Sequence, residues 1–386
     1  MKPYEKIIDI GERCFGCGVC AAVCPVEIIR FETDGAGFYR PTVADGKQCT
    51  ECGFCADSCA ALAGGCGTAE SVGYFAGFSD NRETRRQTSS GGVGYELARS
   101  WTARGGAFCG ARYDAAARAA EHFFTTAPEE TAEARGSKYM QSDSPSALRR
   151  ALSDKGEVMF TGTPCQVASL RRYLRLRGRE EQFLLVDFFC FGVPSMNLWR
   201  KYVGDHAATL GEADSVTFRD KTDGWHASYR IRGTRAGATV YLSKERDDLF
   251  YKFFLRRYVQ QKACYECPFR DENSAADVRL GDFWGEKYAD NGEGVSVVVA
   301  VTEKGRTALL QTDGVTLHAE TAETVMEGRP SGAQPVPAAR GRLLSELTGP
   351  RTLAQIYRRY RLRLYAWRLG YRVKRKMCRW RRSKSK

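Results

Sequence analysis

The chain has no run of 18 apolar residues, so it offers no candidate membrane-spanning helix. Its first residues, Met1 to Ile10, lack the apolar core of a secretory leader, and a cytoplasmic protein is expected. Acidic residues are missing from Arg351 to Lys386, a segment with 15 Lys and Arg. That excess is larger than the formal net charge of +13, so the rest of the chain is close to neutral. The basic character therefore belongs to one segment and is no nucleic-acid footprint. No nucleic acid is expected as a partner. Aromatics are not scarce, at 11%, and regular apolar runs exclude a disordered chain. The 386 residues suggest two or three domains.

Cysteine is what the sequence has in quantity: 15 residues, eight of them between Cys14 and Cys59. Without a secretory leader, such density points to metal ligation in a reducing compartment and not to disulfides. The eight form a repeat. Cys14, Cys17, Cys20 and Cys24 in CFGCGVCAAVCP recur as Cys49, Cys52, Cys55 and Cys59 in CTECGFCADSCA. This is the bacterial ferredoxin spacing, in which three close thiolates take three corners of a cubane and the fourth cysteine reaches the other cluster. The spacing predicts one 4Fe–4S cluster on Cys14, Cys17, Cys20 and Cys59, and a second on Cys49, Cys52, Cys55 and Cys24. Pro25 follows Cys24 as the motif expects, whereas Ala60 stands where a second proline would be. Zinc is the competing reading of paired CxxC units, and the doubled spacing argues against it. Two adjacent clusters of this kind relay single electrons. Without an open coordination position, they leave substrate chemistry to another part of the chain or to a partner.

Between the two cysteine words, FETDGAGFYRPTV reads as two short strands around a turn. After the Ala- and Gly-rich stretch Ala60 to Ala69, which contains Cys66, the texture changes. SVGYFAGF, EVMFTGTP, FLLVDFFCFG and GVSVVVAVT read as buried strands, while Gly94 to Arg104, Pro145 to Ser153, Gln166 to Leu176 and Met196 to Leu210 have helical apolar spacing. The expected fold class is α+β or mixed α/β. A dicluster ferredoxin-like domain (1–68) precedes a larger mixed α/β domain (69–330), a Pro/Gly-rich linker (331–350) and a basic amphipathic helical tail (351–386). In the tail, Leu353, Ile356, Tyr360, Leu364, Trp367 and Tyr371 make one apolar stripe.

Four further cysteines are scattered through the larger domain. Cys165 lies in TGTPCQV between a strand and a helix, Cys190 ends a strand in FFCFGVPS, and Cys264 and Cys267 form CYECPF. Each alone reads equally as a core cysteine or a ligand, but CxxC before proline is half of a metal site, which two more thiolates would complete. TSSGGVGYELA is a glycine-rich turn opening a helix. It reads either as a plain tight turn or as a seat for an anionic group.

SSGGV, SKYMQSD, FTGTPCQV, FFCFGVPS, CYECPF and VRLGDFWG occur in this order. Order and wording resemble the beta-subunit family of coenzyme F420 hydrogenases and dehydrogenases, over roughly Cys14 to Gly305. The resemblance implies a flavoprotein with FAD bound in the α/β domain. It implies a third 4Fe–4S cluster on Cys165, Cys190, Cys264 and Cys267. It also implies that Ser90, Gly91, Gly92, Lys138, Gln141, Ser142 and the turn Thr161, Gly162, Thr163 and Pro164 lie near the flavin. In one departure, Phe191 stands where many relatives of the family have histidine between the cysteine and the glycine.

FRDKTDGWHASY, Phe218 to Tyr229, also resembles a segment of bacterial members. One reading sets Lys221 and His226 at a substrate mouth, with Trp225 stacking on a ring. The other is a hairpin with solvated charges. Asp282 and Trp284 read either as bordering the flavin or cluster, or as a turn and a core aromatic. Cys109 reads as a core residue and Cys378 as a free thiol. The tail suits an anionic membrane surface, an acidic partner such as a ferredoxin, or packing on the body. The resulting expectation is an iron–sulfur flavoprotein oxidoreductase that exchanges electrons with a ferredoxin or other redox protein and acts on an organic substrate, with the deazaflavin F420 itself among the candidates. A relay subunit with no substrate of its own, or a binding scaffold, is the rival.

Overall fold

A computed structural model describes residues 1–44, 48–64, 71–245, 248–270, 273–327, 329 and 332–366. The cysteine repeat folds as two short helices, Val19–Ala22 and Phe54–Asp57, on either side of the antiparallel hairpin β1 (Ile29–Thr33) and β2 (Tyr39–Val43). Each helix follows a glycine in the left-handed region, Gly18 at φ 78° and Gly53 at φ 82°. Only glycine takes that backbone without strain, so the repeat reproduces its turn as well as its cysteines.

Nine strands make the central sheet. In chain order they are β3 (Gly73–Ser79), β4 (Ala107–Asp114), β5 (Ala119–Thr125), β6 (Ser142–Asp143), β7 (Val158–Thr161) and β8 (Phe183–Phe188). After a small antiparallel sheet of β9 (Ser215–Thr217), β10 (Arg232–Arg235) and β11 (Ala238–Leu242), the chain returns as β12 (Val278–Asp282), β13 (Ser296–Ala300) and β14 (Val315–Ala319). The order across the sheet is β14-β3-β13-β12-β8-β7-β4-β5-β6. Strands β4, β7, β8 and β12 run parallel, and β7 and β8 are buried nearly throughout, as a two-sided apolar strand requires. Cys109 sits on β4 with no exposed surface, the core residue that its sequence suggested.

Helix boundaries follow their caps. The helix Pro164–Leu176 starts with Thr163 as N-cap, a capping box closed by Gln166, and proline in the first turn, which puts Cys165 at its N-terminus. The helix expected over Met196 to Leu210 ends earlier, at Asp205. The chain leaves helical geometry at His206 and makes a separate turn at Leu210–Glu212.

Two expectations about the C-terminal part change. The stretch taken as a linker, 331–350, contains the helix Arg340–Thr348, which buries Leu343, Leu344 and Leu347. Residues 353–366 are helical as expected, but Leu353, Ile356, Tyr360 and Leu364 are 5% exposed or less. They pack in the aromatic core of Trp199, Tyr202, Phe218 and Phe250. In this part of the tail the apolar stripe is occupied by the body. Trp367, Tyr371, Trp380, Cys378 and most of the basic residues lie outside the described residues, as does Cys66. Among the described residues no helix is long and apolar enough to cross a membrane.

Candidate metal centre

The N-terminal cysteines gather in two neighbouring groups. Cys17 and Cys20 both feel the charges of Cys14 and Cys59. Cys55 feels Cys24, Cys52 and Cys49. The fourth cysteine of each repeat thus stands with the other repeat, and Cys20 and Cys55 bring the two groups together. One amide recurs in both loops: Gly16 N–H donates to Cys14 Sγ and Glu51 N–H to Cys49 Sγ, each at 3.3 Å. Burial, then the neighbouring Cys59, pushes the Cys17 thiol up to about 12, and burial pushes Cys55 up to about 11. Thiols in such a position become thiolates only against a compensating positive charge, which iron supplies.

Cys165, Cys190, Cys264 and Cys267 come from three separate places in the chain and meet beside that module. Cys165 feels Cys17, Cys267 and Cys190, while Cys264 feels Cys190 and Cys267. The i+2 amide reappears as Gly192 N–H to Cys190 Sγ at 3.3 Å. All four thiols are shifted upward by burial, Cys190 to about 11 and Cys264 to about 12. They line one cavity with Phe15 and Gly16 of the N-terminal module and with Gln141, Ser142, Thr163 and Pro164. Among the described residues no three His, Cys, Asp or Glu side chains converge closely enough to share one metal ion. All four side chains are cysteines, the donor type that iron–sulfur clusters use.

The two halves are bound together across this boundary. Gln141, 4% exposed, accepts from Tyr39 N–H at 3.0 Å and donates to Gln261 at 2.7 Å, and Gln261 donates in turn to the carbonyl of Cys14. Ser144 Oγ donates to the Cys17 carbonyl at 3.0 Å. Cys17 Sγ lies 3.6 Å from Ser169 Oγ, which also accepts from Ala60 N–H at 3.2 Å.

The remaining residues implied for a cofactor lie along one edge of the sheet. The loops leaving β3, β7, β8 and β12, and the segment entering β6, share the carboxyl edge of the parallel strands, where ligands of open α/β sheets bind. At this edge Ser90 Oγ donates to Val295 O at 2.8 Å and Gly91 N–H to Ser296 Oγ at 3.0 Å. A Cβ on Gly91 would come 2.8 Å from Ser296 N, so the turn is closed around that strand. Gly92 follows at φ 91° as the N-cap of the helix Val93–Ala103. Lys138 Nζ donates to the carbonyls of Ala111, Glu133 and Arg135, and burial lowers it to about 7. Thr161 ends β7 with its carbonyl beside His122, whose ring stacks on Phe160, and Gly162 follows the strand.

Lys221 and His226 have different neighbours. Lys221 Nζ donates to the carbonyls of Arg85, Ser90 and Glu293 at 2.6–2.8 Å, so its ammonium locks the glycine-rich turn. Burial lowers it to about 7. His226 is exposed. Trp225 has no exposed surface and stacks on Trp284 at 5.0 Å, with its indole N–H on Asp282. It therefore cannot stack on an incoming ring at an open mouth. Asp282 also holds Arg219 at 3.1 Å, so the buried Arg219 and Trp225 converge on a half-buried Asp282 beneath an exposed Trp284.

Sequence patterns did not mark Arg257, Arg270, Ser169 or Gln261. Arg270 follows CYECPF directly and was the nearest to being legible. The others are set by contacts across more than a hundred residues or by a local backbone turn.

Residues 13–63 match the 4Fe-4S dicluster domain family, and residues 156–323 match the family of the C-terminal part of the coenzyme F420 hydrogenase/dehydrogenase beta subunit. A solved structure of the F420-reducing NiFe hydrogenase complex from Methanosarcina barkeri is similar at 19% identity and a TM-score of 0.48, over 72% of this chain and 89% of that one. No curated protein matches the chain. The chain thus joins a 4Fe-4S dicluster domain to a domain of the coenzyme F420 hydrogenase/dehydrogenase beta-subunit family.

Proposed function

We propose that this chain is an iron–sulfur flavoprotein oxidoreductase that exchanges electrons with a ferredoxin or similar redox protein and passes them to or from an organic substrate. The observation that carries the reading is the third group of cysteines, which shares a cavity wall with the loop of Cys14 and Cys17. On this reading Cys14, Cys17, Cys20 and Cys59 hold one 4Fe–4S cluster. Cys24, Cys49, Cys52 and Cys55 hold another, and Cys165, Cys190, Cys264 and Cys267 hold a third. Clusters carry single electrons, and FAD supplies the exchange with two-electron chemistry.

The chain's own residues orient and seclude these groups. Gly16, Glu51 and Gly192 amides point at cysteine sulfurs, the donors that stabilise a reduced cluster. Gln141 and Gln261 fix the distance between the module and the body. Ser90, Gly91, Gly92, Lys138 and Thr161 to Pro164 furnish the FAD edge. A deazaflavin such as F420 is one candidate substrate, and the charged segment 367–386 suits an acidic redox partner or an anionic membrane surface. Lys221, bound to three carbonyls, and the buried Trp225 favour a second reading, a relay subunit whose substrate chemistry belongs to a partner.

The test is anaerobic mixing of the purified chain with reduced ferredoxin, followed through the flavin absorbance. Bleaching of bound flavin is expected in the wild type. It should slow at least tenfold in Cys267→Ser with flavin content kept. Equal bleaching rates in both would exclude the route through the third group. Bleaching without turnover of any added acceptor would select the relay subunit.

A further inference from the structure

Two arginines beside the third cysteine group have no acidic partner among the described residues. Arg257 is 7% exposed and Arg270 is 6% exposed. Among the described residues neither forms an ion pair, and Arg257 Nη1 and Nη2 and Arg270 Nε have no hydrogen-bond acceptor. The rest of Arg270 donates to the carbonyls of Cys264, Tyr265 and Gly332, which fixes it against the CYEC turn. Arg257 lies with its guanidinium carbon 3.8 Å from the centre of the Phe191 ring, next to Cys190. Its backbone is left-handed at φ 57°, a conformation that costs energy for a residue with a side chain and persists where the surroundings demand it. A strained backbone, two buried cations side by side and unused donors are together unfavourable unless something anionic offsets them.

The cysteines supply that anion. Cys190 and Cys267 face both arginines, and Cys264 faces Arg270. Cys267 also faces Arg279, but that guanidinium is matched by Asp187 at 2.7 Å. Four thiolates around a 4Fe–4S core leave a net negative charge, which grows by one on reduction. Among the described residues the N-terminal groups have no such buried pair of cations. Arg172 stands beside Cys59, and it donates to the Asp57 carbonyl. The two regions therefore differ in the charge that greets an incoming electron.

We propose that Arg257 and Arg270 are the counter-charges of a cluster on Cys165, Cys190, Cys264 and Cys267, raising its potential above those of the two N-terminal clusters so that electrons run inward from the module to the body. This rests on the third-cluster reading above. Arg257 and Arg270 act through the cluster and are positioning residues. Phe191 gives Arg257 an aromatic face to lie on. A permanent cation there makes the effect independent of pH over the neutral range, unlike a histidine.

The test is a reductive titration of the anaerobic full-length chain followed by electron paramagnetic resonance, with the third-cluster signal identified by its loss in Cys267→Ser. In the wild type that signal is expected to appear at the highest potential of the three. Arg257→Met should lower its midpoint by about 59 mV or more, a tenfold change in a one-electron equilibrium, and leave the other two in place. Arg257→Lys, which keeps the charge, should recover most of the shift. If the wild-type third signal appears below the other two, or Arg257→Met keeps all its iron and its midpoint, the proposal falls while the third cluster stands. A wild-type chain with no third signal and iron for two clusters would instead overturn the third-cluster reading itself.

Discussion

Cys17 and Ser169 meet across the boundary between the two halves, with the Sγ 3.6 Å from the hydroxyl oxygen. Ser169 sits four residues beyond Cys165 on the helix Pro164–Leu176, so one helix face addresses both the first and the third cysteine groups. The same hydroxyl accepts the buried Ala60 amide, just after Cys59. The module is therefore fastened to the body by the helix that carries a cysteine of the third group.

Ser169→Ala should loosen this junction. It strands the Ala60 N–H in a buried setting, at about 1–3 kcal/mol. Denaturant unfolding should show that loss with iron content unchanged. No change in the midpoint would mean that the Ala60 amide has another acceptor.

Residues 353–366 should behave as part of the core. Ile356 has no exposed surface and packs with Leu343 and the Trp199 cluster. Ile356→Ala is expected to cost about 2–5 kcal/mol in thermal or denaturant unfolding. Truncation after Ala366 should keep the fold, whereas truncation after Pro350 should yield insoluble protein. A soluble, cooperatively folding chain ending at Pro350 would refute this.

His122 should give the fold a pH dependence at the acid end. Burial lowers its imidazole from 6.5 to about 4, with the Thr161 carbonyl opposing that shift. Between pH 4 and 6.5 the unfolded chain binds the proton and the folded chain does not. Stability is therefore complete above about 6.5 and falls as pH drops toward 4, by about 3 kcal/mol in all. His122→Phe, which keeps the stack on Phe160, should remove that portion of the slope. An unchanged slope in the variant would place the proton uptake elsewhere.

The cysteine repeat was legible because ligand spacing is local: three sulfurs two residues apart need only a loop, and Gly18 and Gly53 complete the turn in both copies. The central strands were legible from their unbroken apolar runs, since a parallel strand is buried on both faces. The 340–348 helix was hidden by the Pro- and Gly-rich residues before it, which read as a linker although Leu343, Leu344 and Leu347 already held helical spacing. The membrane reading of the tail came from a true amphipathic pattern, but a sequence does not say which surface covers an apolar stripe, and for 353–366 the body does. Trp225 failed as a mouth residue for the same reason: an aromatic beside His and Asp reads alike in a site or in a core. Arg257 had no signature at all, because its lack of a carboxylate partner among the described residues exists only in three dimensions.

The most direct test of the account is iron, acid-labile sulfide and flavin quantified per chain after anaerobic purification. Three clusters and one flavin predict about twelve irons, about twelve sulfides and one FAD. About eight irons without flavin would contradict it. The ferredoxin module would then be the sole redox unit, and the chain a relay subunit or a binding scaffold.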